Sequence, residues 1–406
     1  MENKKIAVAE GLVSPEDPIK KVKVGIIGVG NIGSAHASTI YSGKIKGMAL
    51  CALCDISRKR REAISALYPD VPTFENAGEL LASGLCEAVI IATPHYFHPV
   101  IAKAAFRAGL HVLTEKPAGV TCESVRDLME TAKESGKAFG IMFNQRTNRL
   151  FRLAREIVSS GKLGACKRMV WIITNWYRKQ CYYDSGGWRA TWNGEGGGVL
   201  LNQAPHNLDL WQWICGMPKA VYASCEEGKY HNIEVEDEAT LFARYENGMT
   251  AVFMTSTGDY PGTNRLEITG TKGKLVIENG KLVHTALAID EREFRLTEES
   301  AQNPVTVTEY ADEPYNGHVR ILENFADHIL HGTPLIASGY EAIHELTLSN
   351  AAYLSAWLGR EITLPMDDKL FSEMLKAKAE QSDTETKKYQ RESVQFHYKD
   401  RWNTNW

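Results

Sequence analysis

Hydrophobic residues in the first third of the chain fall into short solid runs. They are separated by stretches in which apolar positions recur every three or four residues. The runs at 22–28, 48–55, 88–92, 111–114 and 138–143 are rich in Val, Ile, Leu and Ala, the pattern of strands buried on both faces. The stretches at 32–42, 58–67, 99–108 and 122–135 read as helices, with Gly109, Gly136 and Gly140 at plausible stops and turns. Strands alternating with helices predict a parallel, doubly wound α/β sheet.

Beyond about residue 147 the texture changes. A helix at 148–159 leads to a strand near 168–176, then to a loop dense in Gly, Trp and Tyr through Gly198, and to a helix at 205–214. Runs at 220–225, 239–245, 249–256, 266–270 and 274–277 read as strands. Glu246-Asn247-Gly248 and Glu278-Asn279-Gly280 carry the Asn-Gly pair that tolerates positive φ in hairpin turns. Strands joined by hairpins predict a large, mostly antiparallel open sheet in an α+β domain. Helices return at 318–331 and 340–358.

A chain of 406 residues exceeds one ordinary core. The expected division is an arm at 1–20, a first domain at 21–146, a second at 147–375, and a charged tail at 376–406 carrying Phe396, Tyr398, Trp402 and Trp406. A net charge of −4 gives no electrostatic case for nucleic acid. No apolar run approaches membrane-spanning length, and residues 1–21 lack a signal-peptide core, so the cytoplasm is the expected location. Cys51-x-x-Cys54 is the only close pair among eight cysteines. In a strand those positions face opposite ways, which reads as buried reduced thiols and not as a metal or redox site.

Four constellations carry chemistry. The first is Gly28-x-Gly30-x-x-Gly33 after the first strand: Gly28 for the tight turn, Gly30 for close approach of a pyrophosphate, Gly33 for helix packing. Asp55 ends the next strand at the spacing expected of a ribose-binding acid. Arg58 and Arg60 beside it could instead pair with a 2′-phosphate. The second is Thr93-Pro94-His95-Tyr96-Phe97-His98 at the end of the third run. His95-x-x-His98 reads either as a metal pair or, with no third ligand nearby, as a lining for the nicotinamide ribose.

Third, Glu115-Lys116-Pro117 closes the fourth run, where Pro117 keeps Lys116 extended at the strand tip. There a lysine can donate to a substrate oxygen, and Glu115 can bond a cofactor ribose or amide. Fourth, Pro205 suits the first helical position, which sets His206 in a first turn whose positive end favours neutral imidazole. Asp209, three residues on, could orient that ring. The plain alternative for His206 is a capping or core histidine.

Together Gly28–Gly33, Asp55, Ala92-Thr93-Pro94, Glu115-Lys116-Pro117 and Gly197-Gly198 through His206-x-x-Asp209 resemble the glucose–fructose oxidoreductase, inositol dehydrogenase and rhizopine-catabolism (Gfo/Idh/MocA) family. The resemblance spans both domains. It implies an N-terminal Rossmann domain binding NAD, and a C-terminal sheet that holds substrate and often forms the oligomer interface. Lys116 and His206 fall on the family's catalytic pair, and the Lys116–Pro117 bond on one that is cis in relatives.

The implied cofactor-binding set is Gly28, Gly30, Asn31, Ile32, Gly33, Asp55, Arg58, Thr93, Pro94, His95, His98, Glu115, Lys116, Asn144, Trp188 and Arg189. The substrate-binding set is Lys116, Tyr183, Arg189, Asn202 and His206, with no metal. Asn202 stands where many polyol-oxidising members carry Asp, and is expected to bond a substrate hydroxyl instead.

Six of the nine tryptophans lie from Trp171 to Trp213, beside Tyr177, Tyr182 and Tyr183. Aromatic faces with hydroxyl-bonding groups suit a sugar. Trp211 and Trp213 read as core; Tyr183, Trp188 and Arg189 read as site. The expected activity is NAD(H)-dependent oxidoreduction of a sugar or glycoside by a homo-oligomer. The rivals are glycoside cleavage through transient oxidation with retained cofactor, and a nucleotide-sensing protein without turnover.

Overall fold

A computed structural model describes residues 20–298, 300–314 and 316–382. The arm and most of the tail, with Phe396, Tyr398, Trp402 and Trp406, lie outside the described residues.

The first sheet is built from β1 (Val22–Ile27), β2 (Met48–Cys54), β3 (Thr73–Phe74), β4 (Ala88–Ile91), β5 (His111–Thr114) and β6 (Phe139–Ile141). All are parallel, in the order β3-β2-β1-β4-β5-β6. Helices α1 (Asn31–Tyr41), α2 (Arg58–Leu67), α3 (Ala77–Ala82), α4 (Phe97–Arg107) and α5 (Cys122–Ser135) alternate with them. β1 is flanked on both edges, so Val22, Val24, Ile26 and Ile27 are all buried, which is why it reads as a solid apolar run. α5 is closed at both ends by its own residues: Thr121 accepts from the Ser124 N–H, and Gly136 turns left-handed at φ 64°. Chain order reverses between β1 and β4, so a crevice opens over the carboxyl ends of those strands.

A one-turn 3₁₀ segment at Asn144–Thr147 and α6 (Arg149–Ser159) lead into the second unit. Its strands are β7 (Cys166–Ile173), β8 (Ala220–Glu227), β9 (Glu236–Arg244), β10 (Thr250–Ser256), β11 (Asn264–Gly270), β12 (Gly273–Glu278), β13 (Lys281–Leu287), β14 (Val305–Ala311) and β15 (Ile362–Thr363). They form one nine-stranded sheet in the order β14-β13-β12-β11-β7-β10-β9-β8-β15, antiparallel except for β7 with β10. Its helices are α7 (Gln180–Asp184), α8 (Val199–Asn202), α9 (Pro205–Cys215), α10 (Glu291–Phe294), α11 (Gly317–His331), α12 (Ala342–Leu358) and α13 (Asp368–Glu380).

The inner face of the sheet presents Trp171, Leu241, Phe253 and Leu266 to the core. Trp171 meets Phe151 of α6, and Phe253 stacks on Trp211 of α9 at 5.9 Å. α12 joins the two units: the Asn350 side chain accepts from the Cys122 N–H and donates to the Val120 carbonyl, both at 3.0 Å.

Several expectations shift. The strand expected to run to 176 ends at Ile173, and the one expected at 138–143 is only Phe139–Ile141 before the 3₁₀ turn. β14 alternates Val305-Thr306-Val307-Thr308 but was not anticipated; it is an edge strand whose two valines stay exposed. The tail boundary at 376 cuts through α13. That helix is capped by Asp367, and its Phe371 stacks on Trp357 at 5.5 Å. The Cys51 sulfur lies 3.1 Å from that of Cys86.

Candidate active site

A continuous cleft of about 950 Å³ runs over the carboxyl ends of β1, β2, β4 and β5 and on against the second sheet's loops. At one end Gly28 has φ +93°, and a Cβ there would lie 2.6 Å from the Ala92 carbonyl oxygen. A Cβ on Gly33 would lie 1.8 Å from the Gly28 oxygen, so this glycine sets how closely α1 meets the turn. α1 begins at Gly30 with no side-chain cap and no acid in its first turn. Its free N–H groups therefore face the cleft unopposed, the arrangement an anionic pyrophosphate requires. Asp55 is held by two main-chain donors, Val29 N–H at 3.0 Å and Ser57 N–H at 2.8 Å. The Arg60 guanidinium stands 3.6 Å from its carboxylate. A dinucleotide fits these residues: glycines where the backbone must be approached, donors for phosphate, an anchored acid for the ribose.

The middle of the cleft is fixed by histidines. His98 has Nδ1 2.7 Å from the Pro117 carbonyl oxygen and Nε2 2.7 Å from that of Thr93. With carbonyls at both nitrogens it ties two strand-end loops together and has no lone pair directed at a metal. His95 Nδ1 lies 3.1 Å from the Glu195 carbonyl oxygen, and its ring meets Trp188 edge-on at 5.3 Å. Among the described residues no three His, Cys, Asp or Glu converge on a metal position. Glu115 meets His36 Nε2 at 2.7 Å. Burial raises its pKa, but the His36 contact and neighbouring positive groups outweigh that and bring it to about 2. Asn144 lies 3.4 Å from His318 Nδ1, a ring whose pKa burial lowers to about 4.

At the far end Lys116, after a cis bond to Pro117, reaches across to donate to the Asn202 carbonyl at 2.6 Å. Burial lowers its pKa, against Glu115 acting to raise it. His206 sits in the first turn of α9 behind the uncapped Ala204 and meets Phe143 edge-on at 6.4 Å. Burial first, then the Lys116 ammonium, hold its pKa well below 6.5. A cation that can share a proton and a neutral base thus line one wall, Lys116 from the first unit and His206 from the second. Arg189 stacks over Tyr182 at 4.7 Å and Trp188 at 4.6 Å, and donates to the Tyr182 hydroxyl at 2.7 Å.

The cleft gathers Gly28, Gly30, Asn31, Ile32, Asp55, Thr93, Pro94, His95, His98, Glu115, Lys116, Asn144, Trp188, Arg189, Asn202 and His206. Three expectations are corrected. Arg58 points into solvent and pairs with Glu62 at 2.8 Å; Arg60, two residues on, takes the place beside Asp55. Tyr183 is buried, with its hydroxyl 2.7 Å from Thr257 Oγ1. α7 turns by about 100° per residue, so Tyr182 faces the cleft instead. Asp209 does not orient His206: Arg146 holds both its oxygens at 2.6 and 2.8 Å. The Asn202 amide donates to Glu195.

Glu195, which also accepts from the Ala190 N–H at 2.6 Å, was not anticipated, nor were Arg178, Gln203 and His318 on the cleft wall. Burial raises the Glu195 pKa. Its one sequence signal is an acid set among glycines, at 194 and 196–198.

A six-stranded parallel sheet with a glycine turn, an uncapped helix start and an anchored acid at its switch point defines a dinucleotide-binding protein. Two family models match, the "Oxidoreductase family, NAD-binding Rossmann fold" (GFO_IDH_MocA) over residues 22–143 and the "GFO/IDH/MocA C-terminal domain" over residues 151–276. The chain belongs to the GFO/IDH/MocA oxidoreductase family.

Among its relatives, an Escherichia coli D-glucoside 3-dehydrogenase is 25% identical over 84% of this chain and 97% of its own length. A Thermotoga maritima myo-inositol 2-dehydrogenase is 24% identical over 84% and 98%. The structure of the WlbA dehydrogenase from Bordetella pertussis, in complex with NADH and UDP-GlcNAcA, superposes with a TM-score of 0.73 at 25% identity, covering 86% of this chain and all of that one.

Proposed function

We propose that the protein is an NAD(H)-dependent dehydrogenase acting on a secondary hydroxyl of a sugar or glycoside. Residues 21–146 bind the cofactor and residues 147–375 bind substrate. The observation that carries this reading is the convergence of Lys116 and His206, from different sheets, on a cleft that begins at the dinucleotide turn. Nicotinamide supplies the hydride acceptor, or the donor in reverse.

Lys116 donates to the reacting oxygen and stabilises the negative charge that develops there; its lowered pKa makes the ammonium a readier acid. His206, neutral at ordinary pH, takes the hydroxyl proton. Glu195 positions Asn202 beside Lys116. Tyr182, Trp188 and Arg189 offer ring faces and a polar fork, the surfaces on which a polyhydroxylated ring settles. The named substrates of the relatives, a glucoside and an inositol, support the same class. Asp55 favours NAD(H) over NADP(H). Eight free thiols suit a reducing cytoplasm, and among the described residues no helix is long and apolar enough to cross a membrane.

The test is a screen of purified protein with NAD+ and NADP+ against hexoses, inositols, anhydrosugars and glycosides, following both NADH absorbance and aglycone release. Sustained NADH formation with a free sugar is the expected result. Aglycone release without net NADH would replace it with redox-neutral glycoside cleavage. Cofactor binding with no turnover on any substrate would leave a nucleotide-sensing protein.

A further inference from the structure

A second cavity, of about 370 Å³, opens between the 3₁₀ segment Asn144–Thr147, α6, the end of α9, the start of α11 and the stretch 335–341. It shares no wall residue with the catalytic cleft. Arg146, Arg152, Arg155 and Arg320 line it, with Trp213 and the carboxylate of Glu341.

Arg146 is fully buried and its charge is already answered, by Asp209 at 2.6 Å and by Glu341. Arg152, Arg155 and Arg320 form no ion pair among the described residues. Four guanidiniums thus face two carboxylates, and two positive charges remain unanswered in a concave site. Arg155 is held in place by Trp213, over whose ring its guanidinium lies at 4.1 Å. Partial burial and the nearby Arg146 charge push the Arg155 pKa down, outweighing Glu341 and Asp209, which act to raise it.

We propose that this cavity is a binding site for a small multiply charged oxyanion, a phosphorylated or polycarboxylate metabolite. Planar guanidinium forks match the oxygens of phosphoryl and carboxylate groups, and a fork stacked on indole loses little freedom on binding. The volume falls in the range of small-molecule sites. Because the two cavities share no wall, the occupant is an effector and not the substrate. Arg146 links the site to α9, gripping Asp209 three residues after His206.

The test is calorimetric titration of the full-length protein with inorganic pyrophosphate and, separately, with citrate, at constant ionic strength. Saturating NADH keeps the anion out of the glycine turn. The expected result is one saturable site, weakened at least about 10-fold in Arg155→Gln/Arg320→Gln, since each charged hydrogen bond contributes on that order. Tighter pyrophosphate binding marks the ligand as phosphorylated; tighter citrate binding marks it as a polycarboxylate. Both replaced side chains reach the surface, so the fold should persist. As a second variant, Trp213→Phe should abolish the fluorescence change that the anion produces in the parent. Absence of saturable binding by either anion, or equal binding in the double variant, overturns the proposal.

Discussion

Burial lowers the pKa of both Lys116 and His206, with opposite consequences for their charge. The lysine ammonium becomes a stronger acid; the histidine stays neutral and keeps a lone pair. Lys116→Met should therefore lower kcat by roughly 100- to 1,000-fold, the usual effect of losing one preorganised donor, with NADH affinity retained. His206→Ala should lower it by roughly 100- to 10,000-fold through lost proton transfer. Their pH profiles should differ in a way that packing damage would not produce. The active His206 is neutral and its pKa lies below 6.5, so the oxidation rate should hold at neutral pH and fall as pH drops through that pKa. The limb should vanish in His206→Ala. In Lys116→Met it should persist and move to higher pH, because the ammonium that disfavours imidazolium is gone. Cofactor fluorescence titrations followed by pH–rate curves for the three proteins decide this, and near-normal turnover of Lys116→Met would refute the assignment.

The positions of Lys116 and His206 on the cleft were legible because each is placed by a local rule, Pro117 after a strand or Pro205 at a helix start. Tyr182 and Arg60 were misplaced by one and two residues because facing is set by helix phase, which composition does not reveal. His318 reaches the cleft only through tertiary folding, from a position with no local pattern of its own, and the Glu195 carboxylate acts on it through Asn202.

At the scale of elements, the solid apolar runs announced the first sheet because parallel strands are covered on both faces. The second sheet was legible where one face alternates, as in β9 and β10, and where Asn279 and Gly280 adopt φ of 51° and 70° in a tight hairpin. Its edge strand β14 was overlooked although Val305-Thr306-Val307-Thr308 carries a strand's alternation, there on a largely exposed edge.

The end of β2 is expected to set cofactor choice. Asp55, fixed by two main-chain donors, should repel a 2′-phosphate while Arg60 at 3.6 Å partly offsets it. The kcat/KM for NAD+ should exceed that for NADP+ in the parent, and Asp55→Ala should narrow or reverse the ratio; equal use of NADP+ by the parent would sink the assignment.

The lead-in to α9 depends on Glu236 of β9. Its buried carboxyl group accepts from Gly198 N–H at 2.8 Å, Leu200 N–H at 2.9 Å and the Tyr353 hydroxyl at 2.8 Å. Glu236→Ala would strand three buried donors, each costing about 1–3 kcal/mol when left unmade. A drop of several degrees or more in melting temperature is expected, together with lost turnover, since the same turn carries Asn202 and His206. An unchanged melting temperature would show that the clamp contributes little.

At the scale of the whole molecule, the described residues cover only one face of the nine-stranded sheet. On the other, Tyr222 and Phe242 stand opposite each other on β8 and β9 and are 48% and 40% exposed; Met254 of β10 extends the patch at 38%. Val252 is paired across from Phe242, and Val170 and Ile172 of β7 continue the same face, with Arg168, Arg244 and Arg265 around it. A contiguous apolar surface of this kind on a central sheet is what a stable self-interface leaves exposed in a single chain. Its run of adjacent strands suits a second copy packed face to face, which would bury the patch symmetrically. We therefore expect a homo-oligomer at micromolar concentration, by light scattering well above the 45.2 kDa of one chain. Phe242→Glu would set two like charges close together in a two-fold interface, and should shift the population to monomers without altering the cleft. A parent protein that scatters as a monomer, or a Phe242→Glu variant with unchanged mass, would rule out this face as the contact.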